Sequence, residues 1–313
     1  MSSHELIDMS AVPVPDVVQE PDFEQRLAQL KAQLLQAAPD LEEALALESE
    51  PVVKLLELVS YREMLLIQQI NDATRGNMLA SAQGNDLEAL ASNYNINRLV
   101  IDAGDPGAQP PVPRKLESDD ALRRRTQMAF DGLNTAGSID SYIYHALSTD
   151  GRVLDAHAIS PLPTEITLTI LSHEGDGAAS PDLLESVRVE FGLTPDGTQQ
   201  QGASKIRPQG DRLTVNGAGI ISYQVDAEVV LHPGPSHSAV METAQAAIRA
   251  YVDRQHRLGA AVTLSGIHRA LHQPGAQNVL INSPASDIEP SMQQAAFCTE
   301  IALTYSVLGT ADD

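Results

Sequence analysis

The chain is poor in cysteine and in aromatic residues. Its 313 residues include one cysteine, Cys298, no tryptophan, four phenylalanines and seven tyrosines. A single cysteine excludes an intrachain disulfide, which fits a reducing compartment. Because aromatic side chains are scarce, alanine, leucine, valine and isoleucine must fill the cores. Few rings remain for stacking on sugars or bases.

Positive charge and long apolar runs are lacking as well. Lysine and arginine total 20 against 42 aspartates and glutamates, which gives a formal net charge of -22. Such a chain has no basic footprint for nucleic acid. No apolar run approaches the roughly 20 residues that span a bilayer, so no membrane insertion is predicted. The acidic, proline-containing start is not a secretory signal, and release is expected to need cell lysis or another route.

Local signatures of catalysis are also missing. The sequence has no GxxxxGK(S/T), HExxH or GxSxG, and no GxGxxG between a strand and a helix. His268 and His272 could share a helix face as metal ligands, but His272 falls at a predicted helix end, where a cation is favourable anyway. We therefore predict no enzyme, no cofactor, and no catalytic, cofactor-binding or metal-binding residue. A hydrolase with a dispersed site is the alternative, because such a site leaves no local motif.

The periodicity of apolar residues changes from helical to alternating along the chain, which predicts an α+β fold. A helical, bundle-forming region comes first, and two small α+β domains with mixed or antiparallel sheets follow. The predicted divisions are an extended arm at 1–21, a helical bundle region at 22–98, a linker at 99–117, a first α+β domain at 118–217 and a second at 218–313. We expect the arm to lie on a partner or to be disordered.

Two segments of the α+β region share a weak internal pattern. Residues 141–161 and 265–284 both run from an Ile-x-x-Ala-Leu helix through a glycine into a strand that ends in Ser-Pro. A shared helix–turn–strand unit is the simplest physical explanation, because glycine ends the helix and the apolar face packs on the sheet.

A long helix predicted from Leu41 to Asn71 or beyond, with an adjustment at Pro51, carries apolar residues on two sides. We expect a local helical hairpin to cover one side and a further helix, from this chain or another, to cover the other. The interface candidates on this helix are Val52, Leu55, Leu58, Val59, Leu65 and Leu66. The first stripe consists of Val52, Leu55, Leu56, Val59, Leu66, Ile70 and Ala73, and the second stripe of Leu58, Tyr61 and Leu65.

The stretch 118–147 is the most informative part of the chain. Ser118 is a helix cap, and acidic residues in the first turn suit the helix dipole. Arg123, Arg124 and Arg125 are predicted on the solvated side, where they pair with local acids or dock on an acidic partner. A Thr-Ala-Gly-Ser joint at 135–138 leads into a second amphipathic helix that ends near Leu147.

This arginine-rich helix, its joint and the second helix together resemble the baseplate J-like family of contractile phage tails and R-type tailocins. Further pieces in the same order extend the resemblance from about residue 55 to 308. They are Leu90-Ala91 with Tyr94, the strand 165–171, the Arg207-Pro208 loop, the strand 223–231, and Leu258-Gly259 before Val262.

The resemblance implies a structural role without chemistry. Members of the family are baseplate wedge subunits, and the implied partners are another copy of this chain, a partner wedge protein, and neighbouring wedges, hub or sheath-initiating proteins. The implied wedge is a heterotrimer that closes a sixfold ring around the hub and transmits the trigger for sheath contraction. Assembly is expected in the bacterial cytoplasm, followed by release as part of a particle. A modular scaffold or adaptor unrelated to tails is the other alternative.

Overall fold

The fold is described from a computed structural model that covers residues 6–134, 136–200, 204–234 and 237–307. By its internal contacts the chain forms two compact units. The N-terminal unit contains residues 6–97 and 118–126, and the C-terminal unit contains 98–117 and 127–307. Within the described ranges, no helix combines the length and apolarity needed to cross a bilayer.

The N-terminal unit is helical, as predicted. Helix α1 spans Phe23–Ala37, and its cap Asp22 accepts a hydrogen bond from the backbone N–H of Gln25 at 3.0 Å. A 3-10 turn at Pro39–Leu41 and the one-turn helix α2, Glu42–Leu45, lead to helix α3, Pro51–Gly76. Helix α4, Gly84–Ser92, and helix α5, Asp119–Gln127, complete the helical elements of this unit.

The predicted long helix is divided at the position where an adjustment was expected. The helix is interrupted after α2, and α3 begins at Pro51 instead of continuing from Leu41. Proline suits the first helical position because it has no N–H to leave unpaired and its φ is already helical. Inside a continuous helix the same ring would clash with the preceding turn.

Part of the predicted arm is held on its own chain. The described portion, 6–21, contains a 3-10 turn at Met9–Ala11 and a second turn in which the Val18 N–H donates to the Pro15 carbonyl at 3.0 Å. Near its end, the backbone N–H of Gln19 donates to Asn71 Oδ1 at 3.1 Å, and Asn71 Nδ2 donates to the Gln19 carbonyl at 2.7 Å. The Asn71 side-chain amide thus makes the two hydrogen bonds with the Gln19 backbone that a residue of a neighbouring strand would make.

Replacing Asn71 with leucine is expected to detach the arm near Gln19. The two hydrogen bonds are lost and the Gln19 backbone groups lose their partners, which should cost about 1–3 kcal/mol. Amide hydrogen exchange should accelerate at 17–20. Asn71→Asp is the matched control, since it keeps an acceptor for the Gln19 N–H and should have a smaller effect. Unchanged exchange in Asn71→Leu would contradict the pinning.

Residues 99–117 are more ordered than the predicted irregular linker. Strands β1, Val100–Asp102, and β2, Lys115–Leu116, form a two-stranded antiparallel ribbon. The glycines and prolines occupy the loop between the two strands. Gly104 has a φ of +70°, and a Cβ there would lie 2.5 Å from the Val112 carbonyl oxygen, so only glycine fits this turn.

The first lobe of the C-terminal unit is a mixed three-stranded sheet packed against two helices. Helix α6, Ile139–Thr149, precedes strands β3, Val153–Leu162, and β4, Glu165–Ser172. Helix α7, Pro181–Glu190, connects β4 to β5, Arg212–Gly217. The sheet order is β3-β4-β5, with β3 antiparallel and β5 parallel to β4. Tyr142 of α6 stacks on Phe191 with ring centroids 5.5 Å apart.

The second lobe repeats this pattern of strand directions. Strand β6, Gly219–Leu231, is central, and helices α8, His237–Gln255, and α9, Leu264–Leu271, follow it. Strand β7, Ala276–Ser283, is antiparallel to β6, whereas β8, Gln294–Val307, is parallel to it. A core cluster that includes Val225, Ile248 and Ile267 fills the space between the helices and the sheet.

The shared helix–turn–strand unit is confirmed. In each lobe a helix (α6 or α9) leads directly into an edge strand (β3 or β7) that runs antiparallel to the central strand. The two turns require glycine for different reasons: Gly275 has a φ of +102°, whereas a Cβ on Gly151 would lie 2.3 Å from the Val100 carbonyl oxygen.

The predicted α+β class is confirmed as well. The division into domains stays a prediction, with α5 belonging by contacts to the N-terminal unit.

Candidate assembly interface on helix α3

Helix α3 is the longest helix in the described part of the chain. Its 26 residues span about 39 Å at 1.5 Å per residue. At the C-terminal end, the backbone N–H and the side-chain amide of Asn77 both donate to the Ala73 carbonyl, at 3.2 and 2.8 Å. Both ends of α3 are therefore well defined, and the helix is long enough to present several turns of side chains to another helix.

One face of α3 is buried within the N-terminal unit. Val53 and Ser60 are fully buried and Asn71 nearly so. Ser60 Oγ donates to the Phe23 carbonyl of α1 at 3.3 Å, and the small side chain lets the two helices approach closely. Arg26 of α1 pairs with Glu63 at 2.7 Å beside this contact. The buried face thus consists of positions that the apolar pattern did not single out.

Both apolar stripes remain exposed. The prediction that a hairpin within the chain covers one of them is wrong, because α1 packs on the face of Ser60 instead. The exposed large residues of the two stripes are 36% to 59% accessible to solvent. They are Leu55, Leu58, Val59, Tyr61, Leu65, Leu66 and Ile70. Single exposed apolar residues are ordinary, but a contiguous set on one helix marks a surface that a partner covers.

The two stripes point in different directions. With 3.6 residues per turn, their centres lie roughly 110° apart, and the buried face lies roughly 120° from each. Arg62 and Gln69 separate the stripes. Helix α3 therefore has two exposed apolar sides besides the side that the described part of its own chain covers.

The arginines of α5 have a different position from the predicted one. Arg125 is only 4% exposed, and its Nη2 donates to the Asn97 carbonyl at 2.7 Å. Arg123 Nε and Nη2 donate to the carbonyls of Leu79 and Ala82 at 2.8 and 2.7 Å, and its Nη1 donates to Asp120 at 2.7 Å. The expectation that all three arginines are solvated is wrong for these two.

The physical reason lies in the loops that follow α3 and α4. Their carbonyls have no partners within a helix, and a guanidinium offers five N–H donors in a fixed fork that can reach several of them. Arg123 and Arg125 therefore brace the N-terminal unit from inside. Arg124 is only partly buried, and its role as an interface candidate stays a prediction.

Several side chains with catalytic potential lie in the described part of the C-terminal unit. Cys298 is half-buried, and burial raises the pKa of its thiol, which disfavours the nucleophilic thiolate. A cavity of about 360 Å³ in the C-terminal unit is lined by Cys298, His173 and His256 among other residues. The rings of His268 and His272 stack 5.4 Å apart. In the described ranges, no group of three or more His, Cys, Asp or Glu is placed to hold a metal ion.

Comparison with known proteins identifies the family. Residues 48–105 match the Baseplate J-like N-terminal domain, and residues 223–304 match the Baseplate J-like protein C-terminal domain. Baseplate protein J of Escherichia phage P2 is 44% identical over 313 residues, which cover 98% of this chain and 99% of that protein. The chain belongs to the baseplate J-like family.

The matched ranges of this J-like chain contain the elements described above. The N-terminal match contains all of α3, and the C-terminal match contains most of β6–β8. The stretch 118–147, which carried the resemblance in the sequence, lies between the two matches. The likeness of the whole chain to the phage P2 protein extends into the first sixty residues, for which the sequence motifs gave no match.

A likeness to a solved structure is weaker. The cryo-EM structure of the anti-feeding prophage (AFP) baseplate, 6-fold symmetrised, contains a chain that aligns with a TM-score of 0.41 and 13% identity. The alignment covers 62% of this J-like chain and 44% of that chain.

Proposed function

We propose that this J-like chain is a structural baseplate wedge subunit of a contractile phage tail or R-type tailocin. Family membership and the near full-length similarity to a phage baseplate protein support the role. The single observation that carries this proposal is the pair of exposed apolar stripes on α3, which two neighbouring helices would cover. In this role the chain makes and breaks no covalent bond.

The proposed wedge is a heterotrimer of two copies of this chain and one partner wedge protein. Each stripe would receive one helix, one from the second copy and one from the partner protein. Burial of seven large apolar side chains per copy gives such a bundle its driving force. Leu55, Leu58, Val59, Leu65 and Leu66, with Val52, are the residues proposed to form it.

The C-terminal unit would contact neighbouring wedges, hub or sheath-initiating proteins and so close a sixfold ring. Its two mixed sheets offer edges and faces for such contacts. As a trigger for contraction, the ring would change between two sets of interfaces. A population shift of this kind needs only contacts that differ in free energy between the two states.

Quantitative mass spectrometry of purified contractile particles from the source cells tests this proposal. We expect this chain at roughly two copies per copy of the partner wedge protein, as a closed symmetric ring requires a fixed ratio. The tube and sheath subunits serve as internal standards.

Absence of the chain from such particles would overturn the baseplate role. The purified protein then distinguishes the remaining alternatives. A scaffold unrelated to tails would form a homo-oligomer without tail proteins. A hydrolase would shift its melting temperature with a metal ion or nucleotide, because a ligand that binds the native state stabilises it.

A further inference from the structure

Strand β8 forms one edge of the sheet in the second lobe. It is 14 residues long and pairs with β6 on one side over nearly its whole length. On the other side, its first residues have a neighbour: Leu258 bridges Ala295, and the Gly259 N–H donates to the Gln294 carbonyl at 3.0 Å. His256 Nδ1 lies 2.9 Å from the Ala296 carbonyl oxygen.

Beyond Ala296, none of the described strands pairs with this side of β8. The stretch Phe297–Ser306 therefore presents an edge about 33 Å long at 3.3 Å per residue. Thr299 is an extra residue in the pairing with β6, where Tyr223 faces Cys298 and Gln224 faces Glu300. From Glu300 onward the strand is regular again.

This edge lacks the features by which proteins protect free strands. The other edge strands are blunted: β3 contains Pro161, β5 has only six residues, and β7 has eight and is followed by Pro284. The stretch 297–307 contains no proline, lysine or arginine, and Glu300 is its one charged residue. A long, nearly uncharged edge in a soluble protein is a template for another strand.

We propose that β8 pairs antiparallel with β8 of a second copy of this chain, which joins two three-stranded sheets into one continuous sheet. The contact is separate from the helix bundle proposed for α3 and does not rest on it. Backbone hydrogen bonds between the two edges supply the affinity, and the alternating side chains set the register.

The strand is chemically complementary to itself in this orientation. Ile301 and Leu303 pack toward the core, whereas Glu300, Ala302 and Thr304 lie on the exposed face. Antiparallel pairing must place residues of the same face opposite each other. With Ala302 at the twofold axis, Ile301 faces Leu303 and Glu300 faces Thr304. With Leu303 at the axis, Ile301 faces Tyr305 and Ala302 faces Thr304.

Both registers avoid the main obstacle to self-association in an acidic chain. Glu300 faces Thr304 in one register and Ser306 in the other, so the two glutamates are never opposed across the interface. Each register also pairs aliphatic or aromatic residues on the core side, which stabilises antiparallel strands. In either case Ala302 lies opposite or diagonal to Ala302 of the second copy. A charged side chain substituted for Ala302 in both copies would therefore lie close to the same charge of the second copy.

The test is sedimentation equilibrium of the full chain in a Leu58→Asp/Leu65→Asp background, which removes association through that side of α3. We expect this parent protein to dimerise. Ala302→Lys and Ala302→Asp should each weaken the dimer by at least about tenfold, because like charges juxtaposed across an interface are costly. An equimolar mixture of the two variants should restore dimerisation as a heterodimer. Gln277→Lys, an exposed position on β7, is the matched control and should leave the dimer unchanged.

Three results would overturn the proposal: a parent protein that stays monomeric, an Ala302→Lys variant that dimerises as tightly as its parent, or a mixture that associates no better than either variant alone. Amide hydrogen exchange on the unsubstituted chain provides a second measurement that needs no substitution. Exchange at 300–307 should slow with rising protein concentration, and a rate independent of concentration would equally contradict the pairing.

Discussion

Replacing Leu58 and Leu65 with aspartate is expected to abolish wedge assembly while the chain still folds. Both residues lie in the second stripe, where they are 58% and 42% exposed in the isolated chain. A surface substitution of this kind usually changes the free energy of unfolding by less than about 0.5 kcal/mol. Inside a helix bundle, however, two buried carboxylates without partners would cost several kcal/mol. The dissociation constant should therefore rise by about a thousandfold or more.

Co-purification with the partner wedge protein and electron microscopy of particles measure this effect. The matched control carries the same two added charges on α1, as Gln25→Asp and Ala32→Asp, both at exposed positions. It should assemble normally. If the Leu58→Asp/Leu65→Asp protein still enters particles, α3 does not form the bundle through its second stripe, and the proposed interface is wrong.

Single alanine substitutions of the three consecutive arginines are expected to separate a bracing role from a docking role. Arg125→Ala should destabilise the N-terminal unit by about 3 kcal/mol, because it leaves buried groups without their charged donor. Arg123→Ala removes bonds to the Leu79 and Ala82 carbonyls and should cost about 2 kcal/mol. Arg124→Ala should change stability by less than about 1 kcal/mol, because its side chain is only partly buried.

Urea denaturation of the three variants, which share the same change in charge, measures this order. Equal stability losses at all three positions would contradict the assignment of Arg123 and Arg125 to internal bracing. Wedge assembly provides an independent readout for Arg124. If Arg124→Ala weakens assembly without loss of stability, this residue contributes to docking, and normal assembly would exclude that role.

Local patterns in the sequence were enough to predict the elements of the C-terminal unit. Alternating residues such as those of 165–171 form strand β4, and Thr263 caps α9 through a hydrogen bond to the Gly266 N–H at 3.1 Å. The internal repeat correctly pointed to two helix–strand units. These features depend on period and capping, which act over a few residues and can be read directly.

The neighbours of α3 could not be read in this way. Periodicity located two apolar stripes but could not tell that α1 packs on the third face, around Ser60. A buried serine and a buried asparagine leave no apolar signal, although both make the contacts that fix α1 and the arm. Likewise, an arginine that satisfies loop carbonyls has the same sequence pattern as one that is solvated.

The sequence by itself therefore determined the α+β class, the order of most elements, the absence of familiar catalytic motifs and the likeness to the baseplate J-like family. Those properties follow from composition and from patterns within a helix or a strand. Only the tertiary structure decided which face of α3 is free, where Arg123 and Arg125 lie, and which sheet edge is open. Each of these depends on contacts between residues far apart in the chain, and these contacts are set by which surfaces pack together and which backbone groups need partners.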